Sequence, residues 1–202
     1  GPIPKGMTGH RKQALIPPKG DPARARALLR QAGVRLPLRL RLDVSNDARE
    51  LTAVQVMQWS LKKVGIEVEI RAQDGSTFMM MGREDVGDQW RDIQLFMQSF
   101  IGMSDPHYSM TWFSSAQVGL WNWERFRSKE FDQLMDLALA STDESERDRM
   151  YQRMQDLMEE SGCYRFVTNG IMPNIFRNSI VPAFRPDGYS LLRDFRPSKR
   201  PA

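Results

Sequence analysis

Residues 36–70 read LPLRLRLDVSNDARELTAVQVMQWSLKKVGIEVEI, and this stretch decides the fold. Leucine stands at every second position over residues 36–42, a spacing that predicts a half-buried strand with arginines on its other face. Asp47 and Glu50 are three residues apart and predict a capping box at the start of a helix. Apolar and acidic residues alternate again over 66–70. Strand, helix and strand at this spacing predict an α/β fold in which the two strands are parallel neighbours.

Further helices and strands are predicted on both sides of this stretch. Upstream, Asp21 and Pro22 begin a helix, and Gly33 ends it in the left-handed conformation. The remaining predicted elements, in chain order, are a short helix or turn at 74–84, a third strand at 92–100, two successive helices that begin after Ser128 and Asp143, a strand at 163–170, and a loop-like, Pro-rich tail from residue 178. The sequence therefore predicts a mixed, partly parallel sheet flanked by helices.

The composition excludes several classes of protein. With 202 residues, of which 41% are apolar, the chain can bury one substantial core. The net charge is only +4, and the basic residues are scattered among acidic ones, so no nucleic-acid partner is expected. No apolar run approaches the roughly 20 residues that span a bilayer.

Few residues are available for catalysis or metal binding. Cys163 is the only cysteine, and we expect its thiol to be packed at the start of a strand. His10 and His107 are the only histidines, and dinucleotide-binding, phosphate-loop and HExxH patterns are absent. We therefore expect no catalytic residue, no metal site and no cofactor. The enzyme alternative would use His107 as a general base with Asp105 near it.

An aromatic run at residues 98–126, QSFIGMSDPHYSMTWFSSAQVGLWNWERF, otherwise has the composition of a loop. It contains three of the five tryptophans, namely Trp112, Trp121 and Trp123. Large rings in such a segment either close the edge of a core or line a place where a ligand binds. The residues alone leave both interpretations open.

Four segments together resemble the family 5 bacterial extracellular solute-binding proteins, which are the peptide, nickel and opine binders of ABC importers. In chain order the segments are DPARARALLRQAGV, GIEVEI, DIQLFMQSF with the following SDPHYSMTWFSS, and NWERFRSKEFDQLMDLALASTDESERDRMYQRMQDLM. The resemblance implies a two-lobed, periplasmic-binding-protein-like clamshell that closes on a small-molecule or short-peptide cargo and delivers it to an ABC permease in the membrane. It also implies an extracytoplasmic location, either periplasmic or lipid-anchored.

By this resemblance the chain corresponds to the second lobe, and the amino-terminal first lobe lies outside it. Residues 1–20 are then an irregular inter-lobe segment, 21–176 the second (carboxy-terminal) lobe, and 177–202 a return segment toward the first lobe. The opening GPIPKGMTGH reads as neither a signal peptide nor a folded element, which fits a position inside a longer protein. The alternative is a ligand-sensing domain of a regulator or receptor.

The resemblance also implies which residues meet the cargo. In the family, the segment after the third strand turns at the mouth of the cleft, and an Asn before the helix pair lies near the cleft rim. The expected ligand-binding residues are Ser99, Phe100, Ile101, Gly102, Met103, Trp112, Asn122 and Trp123. A core role stays open for Trp112 and Trp123, and Asp105 is expected to cap a helix.

Gly102 departs from the family pattern. Peptide-binding members usually have Asp in this position, where it pairs with the α-ammonium of the peptide. A buried ammonium without its carboxylate is costly, so the standard mode of holding a peptide amino terminus is not expected here. The expected cargo is a small solute: peptide-like, an opine or another small polar metabolite. Nickel held by histidines is not expected, because His107 is the only histidine near the turn.

Overall fold

The computed structural model describes residues 1–16, 19–100, 105–170, 173–185 and 188–198. The chain divides into two compact units. We call the one formed by Ile16–Phe100 and Ser115–Phe126 the sheet unit. The other, which we call the helical unit, comprises Gly1–Leu15, Ile101–Ser114 and Arg127–Ala202.

The sheet unit contains the predicted α/β arrangement. Its elements are α1 (Pro22–Gln31), β1 (Leu38–Ser45), α2 (Ala48–Lys62), β2 (Ile66–Gln73), α3 (Gly75–Met80) and β3 (Leu95–Met97), with 3₁₀ turns at Gln89–Asp92 and Ser115–Gln117. The strand order is β2-β1-β3, and β1 runs parallel to both of its neighbours. The prediction of a parallel pair flanked by helices is therefore confirmed. The third strand is shorter than predicted: it spans Leu95–Met97 rather than residues 92–100, and residue 92 belongs to the 3₁₀ turn.

Local polar chemistry determines where the helices of the sheet unit begin and end. The side chain of Asp21 accepts a hydrogen bond from the Arg24 N–H at 2.9 Å, and Asp47 and Asp74 cap α2 and α3 in the same way. These carboxylates satisfy N–H groups that have no partner inside the helix. Gly33, just beyond α1, has a φ of +66°, a left-handed conformation that glycine adopts without a Cβ clash.

The two faces of the sheet bury different clusters. On one face Leu42 and Val44 of β1 and Val68 of β2 pack against Val54 of α2. On the opposite face an aromatic cluster forms from Phe78, Met81, Phe96 and Trp123. Side chains alternate across a strand, so β1 contributes Leu42 and Val44 to the first face and Asp43 to the second.

The helical unit contains the two successive helices predicted after the aromatic run. It comprises α4 (Pro106–Thr111), α5 (Lys129–Ala140) and α6 (Glu144–Glu160), a two-stranded antiparallel ribbon of β4 (Ile180–Val181) and β5 (Arg196–Pro197), and a 3₁₀ turn at Leu192–Asp194. Helices α5 and α6 pack together, with Phe131 and Met135 buried on α5 and Met154 and Met158 on α6. None of the helices in the described ranges is long and apolar enough to cross a membrane.

The first residues of the chain dock on α6, although the sequence predicted only an irregular segment. The Gly9 N–H donates to Asp148 at 2.7 Å, and the Gln155 amide donates to the Gly9 carbonyl at 2.7 Å. The buried Arg11 side chain forms ion pairs with the partly exposed Asp156 at 2.6 Å and the buried Glu159 at 3.0 Å. Gly9 has a φ of +84° and would place a Cβ 2.4 Å from that of Tyr151, so this approach requires glycine.

Two predictions for the segment after α6 are wrong. Residues 163–170 form no strand, and Cys163 is exposed rather than packed. The segment is anchored by aromatic contacts instead, since the buried ring of Tyr164 meets Phe113 edge-on at 5.4 Å. An isolated extended segment with no strand to pair with is held by side chains rather than by a ladder of backbone hydrogen bonds.

Candidate ligand-binding site

The carboxyl edge of the parallel sheet presents the residues that follow β3. Ser99 and Phe100 follow this strand after Gln98; both are exposed, and 39% of the surface of Phe100 is accessible. In open α/β sheets, ligands bind outside the carboxyl ends of the strands, so these two residues stand at the position where a ligand is expected. The other three residues of the predicted turn, Ile101, Gly102 and Met103, lie outside the described residues.

The neighbouring strand β1 brings a further polar residue to the same edge. Val44 of β1 pairs with Met97 of β3, and Asn46 follows two residues later with an exposed side chain. The Asn46 N–H donates to the Gln73 carbonyl at 2.7 Å, which extends the β1–β2 ladder by one residue. Sequence reasoning missed Asn46 as a candidate. The signal that could have found it is its place just beyond the central strand.

Trp123 lies inside the sheet unit. Its ring contacts Phe96 and Phe78 at centroid distances of 5.1 and 5.5 Å, and its Nε1–H donates to the Leu120 carbonyl at 3.0 Å. Only 7% of the residue is exposed, and Gly82 packs so close to the ring that no larger residue fits there. Of the two roles left open by the sequence, the structure favours the core for this tryptophan.

Asn122 is also buried, and its amide closes a local loop. The side-chain NH₂ donates to the Phe126 carbonyl at 2.8 Å, and the side-chain oxygen accepts from the Phe126 N–H at 3.0 Å. Asn122 is fully inaccessible to solvent in the described chain. Its position therefore supports the backbone around the tryptophans, and contact between its side chain and a cargo would need this loop to open.

Trp112 belongs to the helical unit, at the carboxyl end of α4. It is partly exposed and meets the ring of Tyr108 edge-on at 5.6 Å, while Tyr108 itself is 44% exposed. Two adjacent amphipathic rings of this kind can contact a ligand without losing many rotamers. A contact between Trp112 and a cargo stays a prediction.

Asp105 is committed to structure, as its predicted capping role requires. Its carboxylate accepts from the backbone N–H of His107 at 2.8 Å and pairs with Arg147 at 2.7 Å. Partial burial alone would raise the pKa of Asp105, but the hydrogen bonds from Arg147 and the His107 backbone outweigh it and hold the pKa below its usual value. Because the bond goes to the backbone of His107, the geometry gives no support to the enzyme alternative.

Taken together, these features define a class of protein. A parallel sheet presents exposed residues at its carboxyl edge, and no three His, Cys, Asp or Glu residues within the described ranges come together as a metal site. Such an arrangement is typical of a small-ligand-binding domain.

The comparison with known proteins identifies the family. The sequence profile of the bacterial extracellular solute-binding proteins, family 5 (middle region), matches residues 1–120, which is more than half of the chain. The chain therefore belongs to this family. It is 30% identical over 169 residues to the probable D,D-dipeptide-binding periplasmic protein DdpA of Escherichia coli K12, an alignment that covers 83% of this chain and 32% of the relative.

Solved structures agree on the fold. The periplasmic binding protein DppA of Helicobacter pylori, in complex with the peptide STSA, matches 81% of this chain with a TM-score of 0.66 and 22% identity, over 31% of its own length. A dipeptide-binding protein of Pseudoalteromonas sp. SM9913, in complex with Met-Leu, matches 80% with a TM-score of 0.67 and 22% identity, over 32% of its length. The chain spans about a third of the length of its curated relatives.

Proposed function

We propose that the chain is part of the substrate-binding component of an ABC importer, which captures a small solute between two lobes and delivers it to a membrane permease. The observation that carries the proposal is the match to the solute-binding family over residues 1–120. The exposed Ser99 and Phe100 at the carboxyl edge of the sheet add a structural reason, because a ligand is expected at that edge.

The proposed cargo is a small peptide-like solute. The supporting relatives are named for dipeptides or for di- and tripeptides, and two structural neighbours were solved with bound peptides. Gly102 occupies the position where peptide-binding members of the family have Asp, so an opine or another small polar metabolite belongs to the same proposal. In the sheet unit the proposed contacts are Ser99 and Phe100. For Ile101, Gly102, Met103 and Trp112 the proposal rests on the family resemblance alone.

The proposed mechanism is an equilibrium between an open and a closed arrangement of two lobes. In this proposal residues 21–176 belong to the second lobe, residues 177–202 lead toward the first, and the permease recognises the closed form. A cargo shifts such an equilibrium only by as much as its affinities for the two states differ. Binding alone is needed, and the proposal includes no bond chemistry and no cofactor. The proposed location is the periplasm or the outer face of the cytoplasmic membrane, with or without a lipid anchor.

The test is a calorimetric titration of the full-length protein with di- and tripeptides, opines and free amino acids. We expect at least one cargo to bind, and we expect Phe100→Ala to raise its Kd about tenfold, because an aromatic contact surface is removed. Trp59→Ala is the matched control: Trp59 is an exposed aromatic residue on α2, outside the carboxyl edge, and its removal should leave the Kd within about twofold. Equal effects of the two variants would contradict the proposed site.

A further inference from the structure

The second face of the sheet contains a buried carboxylate that the proposed transport function does not use. Asp43 is in register with Arg71 of β2 on one side and with Phe96 of β3 on the other. Its side chain is 1% exposed. The Oδ1 atom accepts a hydrogen bond from the Gln73 amide at 3.2 Å and lies 3.7 Å from the Arg71 Nε.

The other oxygen of this carboxylate has no partner among the described residues. The Asp43 Oδ2 atom is buried and accepts no hydrogen bond. A buried carboxylate oxygen is stabilised by each hydrogen bond that it accepts, and no described side chain or backbone group donates one to Oδ2. A ligand that donates a hydrogen bond to Oδ2 is therefore stabilised at this position.

A cavity of about 220 Å³ lies beside Asp43. This volume equals that of about seven water molecules in the liquid, so it suits a solute of a few non-hydrogen atoms. The polar residues of its wall are Asp43, Arg71, Gln73, Thr77, Gln89 and Asp92. Arg71, Gln89 and Asp92 are exposed at the rim, so their side chains are free to move aside and admit a ligand to the buried carboxylate.

We propose that this cavity, under α3 and beside β2, binds the ammonium group of a small amine, with the Asp43 carboxylate as its anchor. The Oδ2 atom accepts an N–H from the ammonium, and Asp92 at the rim adds a second negative charge. The site belongs to the sheet unit alone and does not include the turn at residues 99–103, so it is independent of the proposed cargo site.

The chemistry of the wall favours an ammonium over other ligands. An anion would meet the buried negative charge of Asp43. Arg71 already lies 3.7 Å from that carboxylate and 42% of its side chain is exposed, so little of its charge is left to attract an anion. A divalent metal ion prefers several oxygen ligands of high charge, and within the described ranges no three acidic, His or Cys residues cluster. The Arg71 guanidinium next to Asp43 also repels a doubly charged ion more than a singly charged one.

The experiment follows the backbone amide signals of Asp43, Arg71 and Gln73 by ¹⁵N NMR while methylammonium chloride is added at constant ionic strength. Tetramethylammonium is the control ligand, since it carries the same charge and has no N–H to donate. We expect saturable shifts with methylammonium, and much weaker ones with tetramethylammonium or potassium.

Two variants should change the affinity for methylammonium in opposite directions, which distinguishes an effect on binding from an effect on folding. Asp43→Asn should weaken methylammonium binding about tenfold or more, because it removes a charge-assisted hydrogen bond. Arg71→Gln should instead strengthen it several-fold, because it removes a competing cation at 3.7 Å from the same carboxylate. Asp85→Asn, which removes an exposed partner of Arg83 outside the cavity, is the matched control and should leave the affinity unchanged.

Three results would overturn the proposal. One is an equal response to methylammonium, tetramethylammonium and potassium, which indicates ionic strength or non-specific charge. Another is saturation by Ca²⁺ or Mg²⁺ with none by methylammonium, which indicates a metal site. The third is a folded Asp43→Asn variant that binds methylammonium as the unmodified chain does.

Discussion

At the scale of single residues, Asp105 links the start of α4 to α6. Its carboxylate holds the His107 N–H at 2.8 Å and the Arg147 guanidinium at 2.7 Å, and Arg147 also donates to the Ala138 carbonyl at 2.9 Å. One carboxylate therefore ties α4, α5 and α6 together. The pKa of Asp105 is lowered, against the effect of its partial burial, by the hydrogen bonds from Arg147 and the His107 backbone.

We expect Asp105→Asn to lower the free energy of unfolding by about 1 kcal/mol at neutral pH, since half of the side chain is exposed and solvent screens the ion pair. A carboxylate with a lowered folded-state pKa stabilises the protein fully above its unfolded pKa of about 3.9 and loses that contribution as the pH falls through the folded value. The difference between the two proteins should therefore be constant above about pH 5 and shrink below pH 4.

Urea denaturation of the 202-residue chain at a series of pH values measures this difference. Asp136→Asn, an exposed change on α5, is the control and should stay within about 0.5 kcal/mol of the unmodified chain. A difference that grows toward low pH would contradict the assigned direction of the Asp105 pKa shift.

The residues of the candidate site show what a sequence can and what it cannot predict. The role of Asp105 followed from its neighbour Pro106, because helix capping is local chemistry. Trp123 was undecided for a different reason. Its burial depends on Phe78, Phe96 and Gly82, which are 27 to 45 positions away in the sequence. A local sequence pattern does not predict contacts over such separations.

At the scale of elements, two helices begin with the same serine-mediated cap. The sequence predicted a capping box at Asp47, in which Glu50 bonds back to the cap residue, and Asp143 and Glu146 have the same spacing. In the structure a serine side chain lies between the glutamate and the N–H of the cap residue at each of the two helices. Ser45 Oγ donates to Glu50 at 2.7 Å and accepts from the Asp47 N–H at 3.3 Å.

The second helix repeats this arrangement. Ser141 Oγ donates to Glu146 at 3.2 Å and accepts from the Asp143 N–H at 3.1 Å. The spacing is the same in the two helices: serine, aspartate two residues later and glutamate three residues after that. This repetition on α2 and α6 indicates that the serine is part of the cap.

We expect Ser141→Ala to lower the free energy of unfolding by about 0.5–1 kcal/mol, because the Asp143 N–H and Glu146 both lose a partner near water. Ser45→Ala should have a similar effect at α2. Ser60→Ala is the matched control, since Ser60 is exposed on α2 and alanine has the higher helix propensity; it should leave stability unchanged or raise it slightly. Urea denaturation measures all three, and equal stability of Ser141→Ala and Ser60→Ala would contradict the serine-mediated cap.

The boundaries of helices and strands could be predicted where neighbouring residues in the sequence determine them, and could not be predicted where distant residues do. The starts of α1, α2, α5 and α6 follow from their cap residues, and the parallel pair follows from two alternating patterns joined by a helix. The buried polar residues of α6, Gln155 and Glu159, were missed because they are covered by residues 9–15, more than 140 positions away. The strand predicted at residues 163–170 does not form, because no neighbouring strand is available to pair with it.

At the scale of the whole molecule, the proposed function requires the full-length protein to accommodate the amino end of a peptide-like cargo. By its resemblance to the family, Gly102 is expected to stand where peptide-binding members have an Asp. In the proposed mechanism a peptide ammonium would lose hydration when the lobes close on it. Without that carboxylate, the free energy gained from a free amino group is small, since a buried charge is favourable only when it is paired.

We therefore expect the full-length protein to bind a dipeptide and its N-acetylated form with Kd values within about tenfold of each other. Gly102→Asp should restore the distinction and favour the free amine by a further tenfold or more, the usual effect of a close, desolvated charge pair. Gly170→Asp is the matched control, because a side chain there meets no neighbouring atom within 4 Å. Calorimetry with both ligands on all three proteins measures the effect. A strong preference for the free amine in the unmodified protein would contradict this expectation and would mean that another carboxylate pairs with the ammonium.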